Sequence, residues 1–410
     1  MPDIGRLLET GDAWVPYQLL DANGAVIEPA AVYFAELQAA DKRPSTIRSY
    51  GNDLLRWWRF LVAIDFPWDT VTPAEGRDFA RWMQLADKPI RVHWRDKDSS
   101  RPTGHGGSRR LEPPVNAVTG KSSPGSKYSK STRAHAETVL RAFYDFQQEI
   151  GKGPLVNPFP LDRSRRSKRR HEHHNPMDLY RKERVGRYRP KVSQRIPKKI
   201  PDEHFNMVFA ALKSHRDRAL LAFWVSTGAR AEELLSARQG DEDPGQQLIA
   251  VTRKGSRKVQ QLPASPDSFV WLRLYQEELW RHGAPRGRRH PLWLTLRRPW
   301  RPLTYHAARA MFTRAQKTLG SNYSIHALRH TSAYRMVDDP AMNITDVQWV
   351  LDHAHLTTTQ LYTTPSQDDV ITSVLAHHAR QSSAAAQPPA PPAAGYNPHT
   401  LDILFGNQAR

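Results

Sequence analysis

A polar segment near the carboxyl end of the chain carries the clearest sign of chemistry. It places His353 nine residues ahead of Tyr362, with too few apolar residues to form core. A tyrosine can serve as a nucleophile when neighbouring groups bind the group that it attacks. The chain supplies cationic and imidazole side chains upstream, in three short motifs: Thr227-Gly-Ala-Arg230-Ala-Glu-Glu233, Lys254-Gly-Ser-Arg-Lys258 and His326-Ala-Leu-Arg329-His330.

These residue types suit a phosphodiester. The attacked phosphate gathers negative charge on its non-bridging oxygens, and the planar, permanently charged guanidinium groups of Arg230 and Arg329 match such oxygens with paired hydrogen bonds. His326 and Arg329 share a helix face through their i, i+3 spacing. Each signal alone is weak, because a tyrosine near a helix end and an isolated H-x-x-R motif are usually structural. The interpretation as a phosphodiester site therefore depends on the order of these motifs along the chain.

Composition favours a polyanionic partner. The chain has 410 residues, a net charge of +19 and a pI near 10.2, which favours nucleic acid first and an anionic membrane second. No apolar run approaches the ~20 residues that span a bilayer. The first residues lack a signal-peptide pattern, and the absence of cysteine excludes disulfides and thiolate metal sites. We expect a cytoplasmic, nucleoid-associated protein that does not bind membranes.

The positive charge is concentrated in one segment. Residues 163–199 hold fifteen Lys or Arg against three acids, a surplus of twelve, with three prolines and no helical apolar period. This pattern predicts an extended interdomain linker that follows DNA phosphates, although a basic run can also be a solvated tail or a localisation signal. The candidate DNA-binding residues are Arg163, Arg165, Arg166, Lys168, Arg169 and Arg170. His-Glu-His-His at 171–174 has no fourth ligand with suitable spacing, so we predict no metal there.

Helices dominate the first half. Ser45 is predicted to cap a helix with Ile47, Leu54, Trp58 and Leu61 on one face. Thr72-Pro73-Ala74-Glu75 predicts a capping box that opens a helix bearing Phe79, Trp82 and Met83. A third helix is predicted from about Ser131, with an apolar face of Val139, Leu140, Phe143, Phe146 and Ile150.

The second half is predicted to be mostly helical with one small sheet. Residues 247–252 and 258–262 are typical of short strands joined by a glycine-containing hairpin turn. Helices are predicted at 202–212, 216–225, 266–282, 304–319, 325–336, 343–352 and 366–379, with a short helix at Tyr362. The last of the longer helices has Val370, Ile371, Val374 and Leu375 on one side. The Ala/Pro-rich residues from 381 onward are predicted to be disordered.

The order arginine, lysine, H-x-x-R, histidine, tyrosine resembles the tyrosine recombinases, the phage integrase family, over residues 200–365. More loosely, Ser-Thr-Ile-Arg-Ser-Tyr at 45–50, followed by a Trp/Phe/Leu helix, resembles the helical core-binding domain of that family. The resemblance implies a mainly α, two-domain DNA clamp: an all-helical core-binding domain plus a helical catalytic domain with a small antiparallel β-sheet. The expected divisions are an extension at 1–28, a core-binding (SAM-like) domain at 29–157 with a mobile insertion at 97–130, a linker at 158–200, a catalytic domain at 201–380 and a tail at 381–410.

The resemblance also implies roles for residues. Tyr362 matches the nucleophile that forms a 3′-phosphotyrosyl bond, and Lys254 matches the general acid, with Lys258 and Arg257 as alternatives if the turn register differs. Glu233 matches the acidic residue that supports the site, though an exposed helical glutamate is an alternative. The two phosphate-clamping arginines would be Arg230 and Arg329, and further hydrogen-bond donors would be His326 and His353. No metal or other cofactor is implied.

One position departs from the family. Asp352 stands where the family usually has glycine, directly before His353. Aspartate is one of the better non-glycine residues in left-handed backbone conformation, so we expect the turn to be preserved.

The function implied is site-specific DNA recombination, of the integrase or mobile-element transposase type, through a Holliday junction. Expected partners are double-stranded DNA sites, a homotetramer on DNA and accessory DNA-bending proteins. Two alternatives remain open at this point: DNA relaxation like that of a type IB topoisomerase, and a catalytically idle DNA-binding regulator.

Overall fold

The computed structural model describes residues 4–89, 115–122, 125–162, 185–192, 197–363, 367–385 and 397–404. Among the described residues, those within Met1–Val115 and Lys121–Gln194 form a first unit, and those within Asn116–Gly120 and Arg195–Arg410 form a second. The predicted insertion at 97–130 falls mostly outside the described residues. No described helix combines the length and the apolar character that crossing a membrane requires.

The first unit consists of a short hairpin and four described helices. The antiparallel hairpin joins β1 (Arg6–Glu9) to β2 (Tyr17–Leu20), and the helices are α1 (Glu28–Ala39), α2 (Pro44–Ala63), α3 (Pro73–Leu85) and α4 (Lys130–Glu149). Neither the hairpin nor α1 was predicted from the sequence. Both contribute to the core, because Leu19 and Ala30 are fully buried.

Aromatic side chains fill this core. Trp57 is fully buried and makes edge-to-face contacts with Phe79, Tyr144 and Phe159, and its indole N–H donates to the Tyr144 hydroxyl at 2.8 Å. The predicted apolar face of α2 named Trp58, which is only partly buried. Ile150, predicted on the apolar face of α4, is exposed.

Two predicted helix starts had different outcomes. The capping box at Thr72 is confirmed, with Pro73 in the first turn and Glu75 bonded back to the cap. The Ser45 cap is wrong, since α2 begins at Pro44 with Arg43 at the cap position. Proline fixes φ near the helical value and is favoured at the first helical position.

The predicted linker is partly folded. The backbone N–H of Asp162 donates to the Val185 carbonyl, and that of Arg187 donates to the Pro160 carbonyl, both at 2.9 Å. Tyr188 donates its hydroxyl proton to the Pro73 carbonyl at 2.9 Å. These described parts pack on the first unit instead of extending freely. The basic cluster at 163–170 and the histidines at 171–174 lie outside the described residues.

The second unit surrounds the buried helix α6 (His215–Thr227), which places Leu220, Leu221 and Phe223 in the core. An antiparallel sheet in the order β3-β4-β5 (Glu242–Asp243, Leu248–Thr252, Val259–Pro263) packs beside it. The predicted hairpin is confirmed, with β3 as an additional strand. The other helices are α5 (Asp202–Ala210), α7 (Ala231–Leu235), α8 (Pro266–Arg281), α9 (Tyr305–Ala315), α10 (Ile325–Val337), α11 (Ile344–Leu351), α12 (Leu356–Thr359), α13 (Gln367–Ala385) and α14 (Pro398–Leu404).

The predicted disorder of the tail is wrong for part of its length. Residues up to Ala385 continue α13, and Pro398–Leu404 form α14. Alanine has the highest intrinsic helix propensity, and proline is tolerated in a first turn. The remaining tail residues, at 386–396 and 405–410, lie outside the described part of the chain.

Candidate active site

Arg230 is positioned by a sharp turn between α6 and α7. Helix α6 ends at Gly228 in left-handed conformation, with φ of 62°. A Cβ atom there would lie 2.9 Å from the Leu351 side chain and 3.1 Å from the Ser332 hydroxyl. The turn therefore requires glycine for both backbone and steric reasons. Two residues later, Arg230 occupies the cap position of α7.

Glu233 is the central acceptor of the site. Its buried carboxylate accepts from the backbone N–H of Arg230 at 3.0 Å, the Arg230 guanidinium at 2.8 Å and the backbone N–H of Lys254 at 2.9 Å. Burial alone would raise the pKa of Glu233, but these hydrogen bonds and the charge of Arg230 lower it to about 2. The carboxylate is thus ionised at neutral pH and holds Arg230 and the β4–β5 turn together.

Arg253 completes this arrangement, and it was not identified from the sequence. Its side chain is fully buried and donates to Glu233 at 3.0 Å, to the Gln260 side chain at 2.7 Å and to the Val350 carbonyl. It connects the hairpin to the end of α11. In the sequence it is one of several cations in a turn, and nothing local marks it as buried.

Lys254 lies on the β4–β5 turn, as predicted. Its ammonium is 3.0 Å from the Glu232 carboxylate, and its side chain is about half exposed, at 46%. Lys258, the alternative, is exposed at the other end of the turn, where its carbonyl accepts from the Arg253 N–H at 2.9 Å. Arg257 lies between them in left-handed conformation. In this alignment of the β4–β5 turn, the backbone N–H that donates to Glu233 is that of Lys254 and not that of Lys258.

Arg329 is nearly fully buried, at 3% exposure, on α10. It donates to the Gly228 carbonyl at 2.7 Å and to the Leu351 carbonyl. Burial and the charge of Arg230 lower the pKa of Arg329 to about 10, so it remains protonated at neutral pH. Arg329 thereby joins the ends of α6 and α11.

Two histidines lie one helical turn apart on α10. The rings of His326 and His330 are 4.4 Å apart between centroids and nearly perpendicular, at 76°. Burial lowers the pKa of His330 to about 4, and repulsion from a protonated His326 and from Arg329 acts in the same direction. The pKa of His326 is also lowered, by partial burial and by Arg329 and Arg230. Both rings are therefore neutral near pH 7.

Asp352 ends α11 in left-handed conformation, with φ of 51° and ψ of 50°. The expectation that aspartate preserves this turn is confirmed. Its carboxylate also approaches the Arg230 guanidinium to 3.5 Å, which a glycine could not do. Directly after the turn, His353 forms a 2.9 Å hydrogen bond between its Nδ1 and the Thr359 hydroxyl. Burial, Arg329 and Arg230 lower the pKa of His353 to about 4.

Tyr362 lies in a single 3-10 turn, Gln360–Tyr362, that follows α12. It is only 6% exposed and packs on Tyr334 edge-to-face, with centroids 5.3 Å apart. Its ring lies nearly parallel to that of His353, at 6.3 Å. Its hydroxyl forms a 2.9 Å hydrogen bond with Nδ1 of His330. Burial raises the pKa of Tyr362 although Arg329 lowers it, so the hydroxyl is protonated at neutral pH.

The second unit thus brings together the seven candidate residues from the catalytic region: Arg230, Glu233, Lys254, His326, Arg329, His353 and Tyr362. Ion pairs and hydrogen bonds connect Arg230, Glu233 and Lys254, and His330 connects Tyr362 to the helix that carries His326 and Arg329. Arg253 and the role of His330 were missed from the sequence, although His330 stands in the quoted motif one turn after His326. The six candidate linker residues at 163–170 lie outside the described residues.

The chemistry of this arrangement is that of an anion site beside a phenol. Arg230 and Arg253 both pair with the buried Glu233 carboxylate. Together with Arg329 and Lys254 they make four cations against the three carboxylates of Glu232, Glu233 and Asp352, so the local charge is positive and favours a bound anion. Within the described ranges, no group of three or more His, Cys, Asp or Glu side chains is placed to hold a metal ion. Guanidinium groups can themselves stabilise charge that develops on a phosphate.

Comparison with known proteins finds a family match in the second unit. Residues 198–368 match the family model described as the Phage integrase family. Over 189 residues, the chain is 29% identical to the tyrosine recombinase XerC of Bacillus pumilus (strain SAFR-032), covering 44% of this chain and 61% of that protein. The chain therefore spans about three fifths of the length of this relative.

A longer match includes both units. Transposase A from transposon Tn554 of Staphylococcus aureus is 22% identical over 356 residues, covering 84% of this chain and 88% of that protein. The structure is similar to that of a lambda integrase dimer bound to a COC′ core site, with a TM-score of 0.52 at 15% identity, covering 82% of this chain and 76% of that chain. This similarity establishes a shared fold.

Proposed function

We propose, from the match of residues 198–368 to the Phage integrase family model, that the protein is a site-specific DNA recombinase of the integrase or transposase type. It cuts and rejoins DNA strands through a covalent 3′-phosphotyrosyl intermediate and a Holliday junction. One observation carries the proposal: a buried tyrosine hydroxyl lies in the same unit as two arginines that are fixed by the backbone of α6, α7 and α11.

Binding of the scissile phosphate is the first step. Arg230 and Arg329 donate to its non-bridging oxygens, and their fixed positions mean that little reorganisation is needed as charge develops. His353 adds a donor, because a Thr359 hydroxyl that donates to Nδ1 leaves the ring proton on Nε2. His326, on the open side of α10, supplies a further one. Removal of one such donor typically costs ~10²–10³ in rate.

Attack and departure follow. The Tyr362 oxygen forms a bond to phosphorus as the bond from phosphorus to the 5′-oxygen breaks. Lys254 protonates the departing 5′-oxygen, since its ammonium is exposed on a turn whose backbone is anchored to Glu233. The phosphotyrosyl bond conserves the phosphodiester linkage, and a 5′-hydroxyl from another strand then reverses the step. The arginines supply the charge stabilisation that metal ions supply in other phosphoryl-transfer sites.

The expected partner is a double-stranded DNA site. The net charge of +19 supports this partner, as does the family of the catalytic region. The basic cluster of Arg163, Arg165, Arg166, Lys168, Arg169 and Arg170 would add phosphate contacts. We place the protein in the cytoplasm, on the bacterial nucleoid, where its substrate is found. Accessory DNA-bending proteins complete the proposed set of partners.

Assembly into a homotetramer on DNA is part of the same proposal, because exchange of two duplexes needs four active subunits. Helix α13 supports it: Val370, Ile371, Val374 and Leu375 are 44–63% exposed. Exposed apolar groups of this kind mark contact surfaces. We expect deletion of residues 366–410 to preserve binding to one site and abolish cooperative assembly and recombination, whereas deletion of only the Ala/Pro-rich tail from Gln381 onward should have much less effect.

The test is trapping of the covalent intermediate. A DNA duplex nicked beside the cleavage position should yield a protein–DNA adduct that protease digests. Tyr362→Phe should bind the same DNA with unchanged affinity and form no adduct. An adduct formed by the phenylalanine variant would refute the nucleophile.

A plasmid assay separates the proposed function from its alternatives. Plasmids with two sites should recombine, and plasmids with one site should show no recombination product. Relaxation of single-site plasmids without recombination would favour a topoisomerase, and binding without adduct by the natural protein would favour a regulator.

A further inference from the structure

The tyrosine hydroxyl has one described hydrogen-bond partner, and it is not one of the two histidines predicted to be catalytic. Nδ1 of His330 lies 2.9 Å from the Tyr362 oxygen. His353 lies beside the same ring in a parallel arrangement and uses its Nδ1 for Thr359. His326 contacts His330 through its ring. Of the three imidazoles, His330 is the one within hydrogen-bond distance of the attacking atom.

The surroundings of His330 suit a proton acceptor. In the tautomer of His330 that carries its proton on Nε2, the lone pair of Nδ1 accepts the proton that the Tyr362 hydroxyl donates across this 2.9 Å contact. Burial, first, and the permanent positive charge of Arg329 keep His330 neutral at pH 7, and His326 and His353 would oppose its protonation further if they were protonated themselves. A neutral imidazole with its lone pair already directed at the phenol has the required form before DNA arrives.

We propose that His330 is a further catalytic residue, the general base that accepts the phenolic proton of Tyr362 as its oxygen attacks phosphorus. The inference rests on the proposed recombinase function. The O–H bond of Tyr362 breaks and its proton moves to Nδ1, while the O–P bond forms and the 5′-oxygen leaves with a proton from Lys254. In the rejoining step, His330 returns the proton to the phenol and Lys254 accepts one from the incoming 5′-hydroxyl.

Substrate binding makes this proton transfer more favourable. In the free protein, Arg329 and the other two histidines oppose a positive charge on His330. A phosphate bound by Arg329 brings negative charge next to that guanidinium and offsets its effect on His330. The base therefore becomes stronger when the phosphate to be attacked is in place, and the phenol remains protonated, and so unreactive, without it.

The experiment measures adduct formation on nicked DNA by the full chain as a function of pH. His330→Ala should slow the reaction by ~10²–10⁴-fold at neutral pH, the range for general acid–base catalysis. Its rate should rise about tenfold per pH unit below the phenol pKa, because the variant depends on spontaneous ionisation of the tyrosine. 3,5-Difluorotyrosine at position 362, a more acidic phenol, should restore much of the rate in His330→Ala and change the natural protein little.

Controls separate a base from a packing residue. His330→Gln keeps a polar group of similar length but cannot take a proton, so it should bind DNA normally, keep the unfolding temperature and be as slow as His330→Ala. His326→Ala should be slowed equally at every pH, without rescue by the acidic phenol. The inference would be overturned if both His330 variants formed the adduct as fast as the natural protein. It would also be overturned if their slower adduct formation did not respond to pH or to difluorotyrosine. Absence of any adduct with the natural protein would instead refute the proposed function.

Discussion

The Asp352 carboxylate lies 3.5 Å from the Arg230 guanidinium. The same residue ends α11 in left-handed conformation. Aspartate thus adds to the turn a negative charge that pairs with an arginine expected to bind phosphate. A bound phosphate must compete with this carboxylate for Arg230.

We expect Asp352→Gly to bind DNA more tightly than the natural protein, because it removes that competitor. It should also unfold at an equal or higher temperature, since glycine adopts φ of 51° without the left-handed penalty of ~1–2 kcal/mol. Asp352→Ala removes the same charge but bears the penalty, so it should lower the unfolding temperature. Affinity for a single site at fixed salt and thermal unfolding check both. Weaker binding by the glycine variant would show that Asp352 orients Arg230 and does not compete with phosphate.

Stability should rise with pH between about 4 and 6.5. The pKa values of His330 and His353 are both lowered to about 4, whereas the unfolded chain titrates near 6.5. In this window the unfolded state binds more protons, so acid favours unfolding. Thermal unfolding from about pH 3.5 to about pH 7.5 checks this, and the double variant His330→Gln, His353→Gln should flatten the curve. Glu233, with a pKa of about 2, contributes only as the pH falls below about 4.5.

Lys254 and Arg230 should respond differently to the leaving group. A substrate with sulfur in place of the bridging 5′-oxygen departs without needing a proton. Lys254→Ala should therefore cleave normal DNA slowly and be largely rescued by the sulfur substrate, and Arg230→Ala should not be rescued. Lys258→Ala is the matched control on the same turn and should cleave both substrates normally. Equal rescue of the lysine and arginine variants would contradict the separate roles.

The basic cluster should contribute to affinity and not to sequence preference. Replacing Arg165, Arg166, Arg169 and Arg170 by glutamine should lower the slope of log affinity against log salt by roughly 0.9 for each phosphate that the protein no longer neutralises. The weakening should be uniform across DNA sequences, because phosphate contacts carry no base information. An unchanged slope would mean that the run is solvated.

The sequence predicted what depends on local order. The hairpin turn with Lys254, the H-x-x-R helix, the left-handed turn at Asp352 and the short helical turn at Tyr362 each follow from a few neighbouring residues. The β4–β5 hairpin and most helices were predicted to within a few residues. The catalytic roles assigned to these residues stay predictions until the experiments above are done.

Contacts between distant segments were not predictable in the same way. Arg253 is fully buried among residues from three elements, yet its neighbours in sequence are those of an exposed turn. The hydrogen bond between His330 and Tyr362 spans 32 positions. The β1–β2 hairpin was missed because its strands have four residues each and gain their stability from packing of Tyr17 and Leu19 in the first unit.

The buried pairing of Arg253 with Glu233 limits how this protein can diverge. Glu233→Gln leaves a buried guanidinium without its counterion, and Arg253→Met leaves a buried carboxylate with one donor fewer. Breaking a buried pair by removing one partner typically costs ~3–5 kcal/mol. We expect each single variant to lose folded protein, as measured by soluble yield and thermal unfolding, and the double variant to lose less than the sum of the two. A sequence can therefore change at both positions without an unstable intermediate only if the two substitutions arise nearly together. We expect Arg253 and Glu233 to be either both kept or both replaced among descendants of this chain.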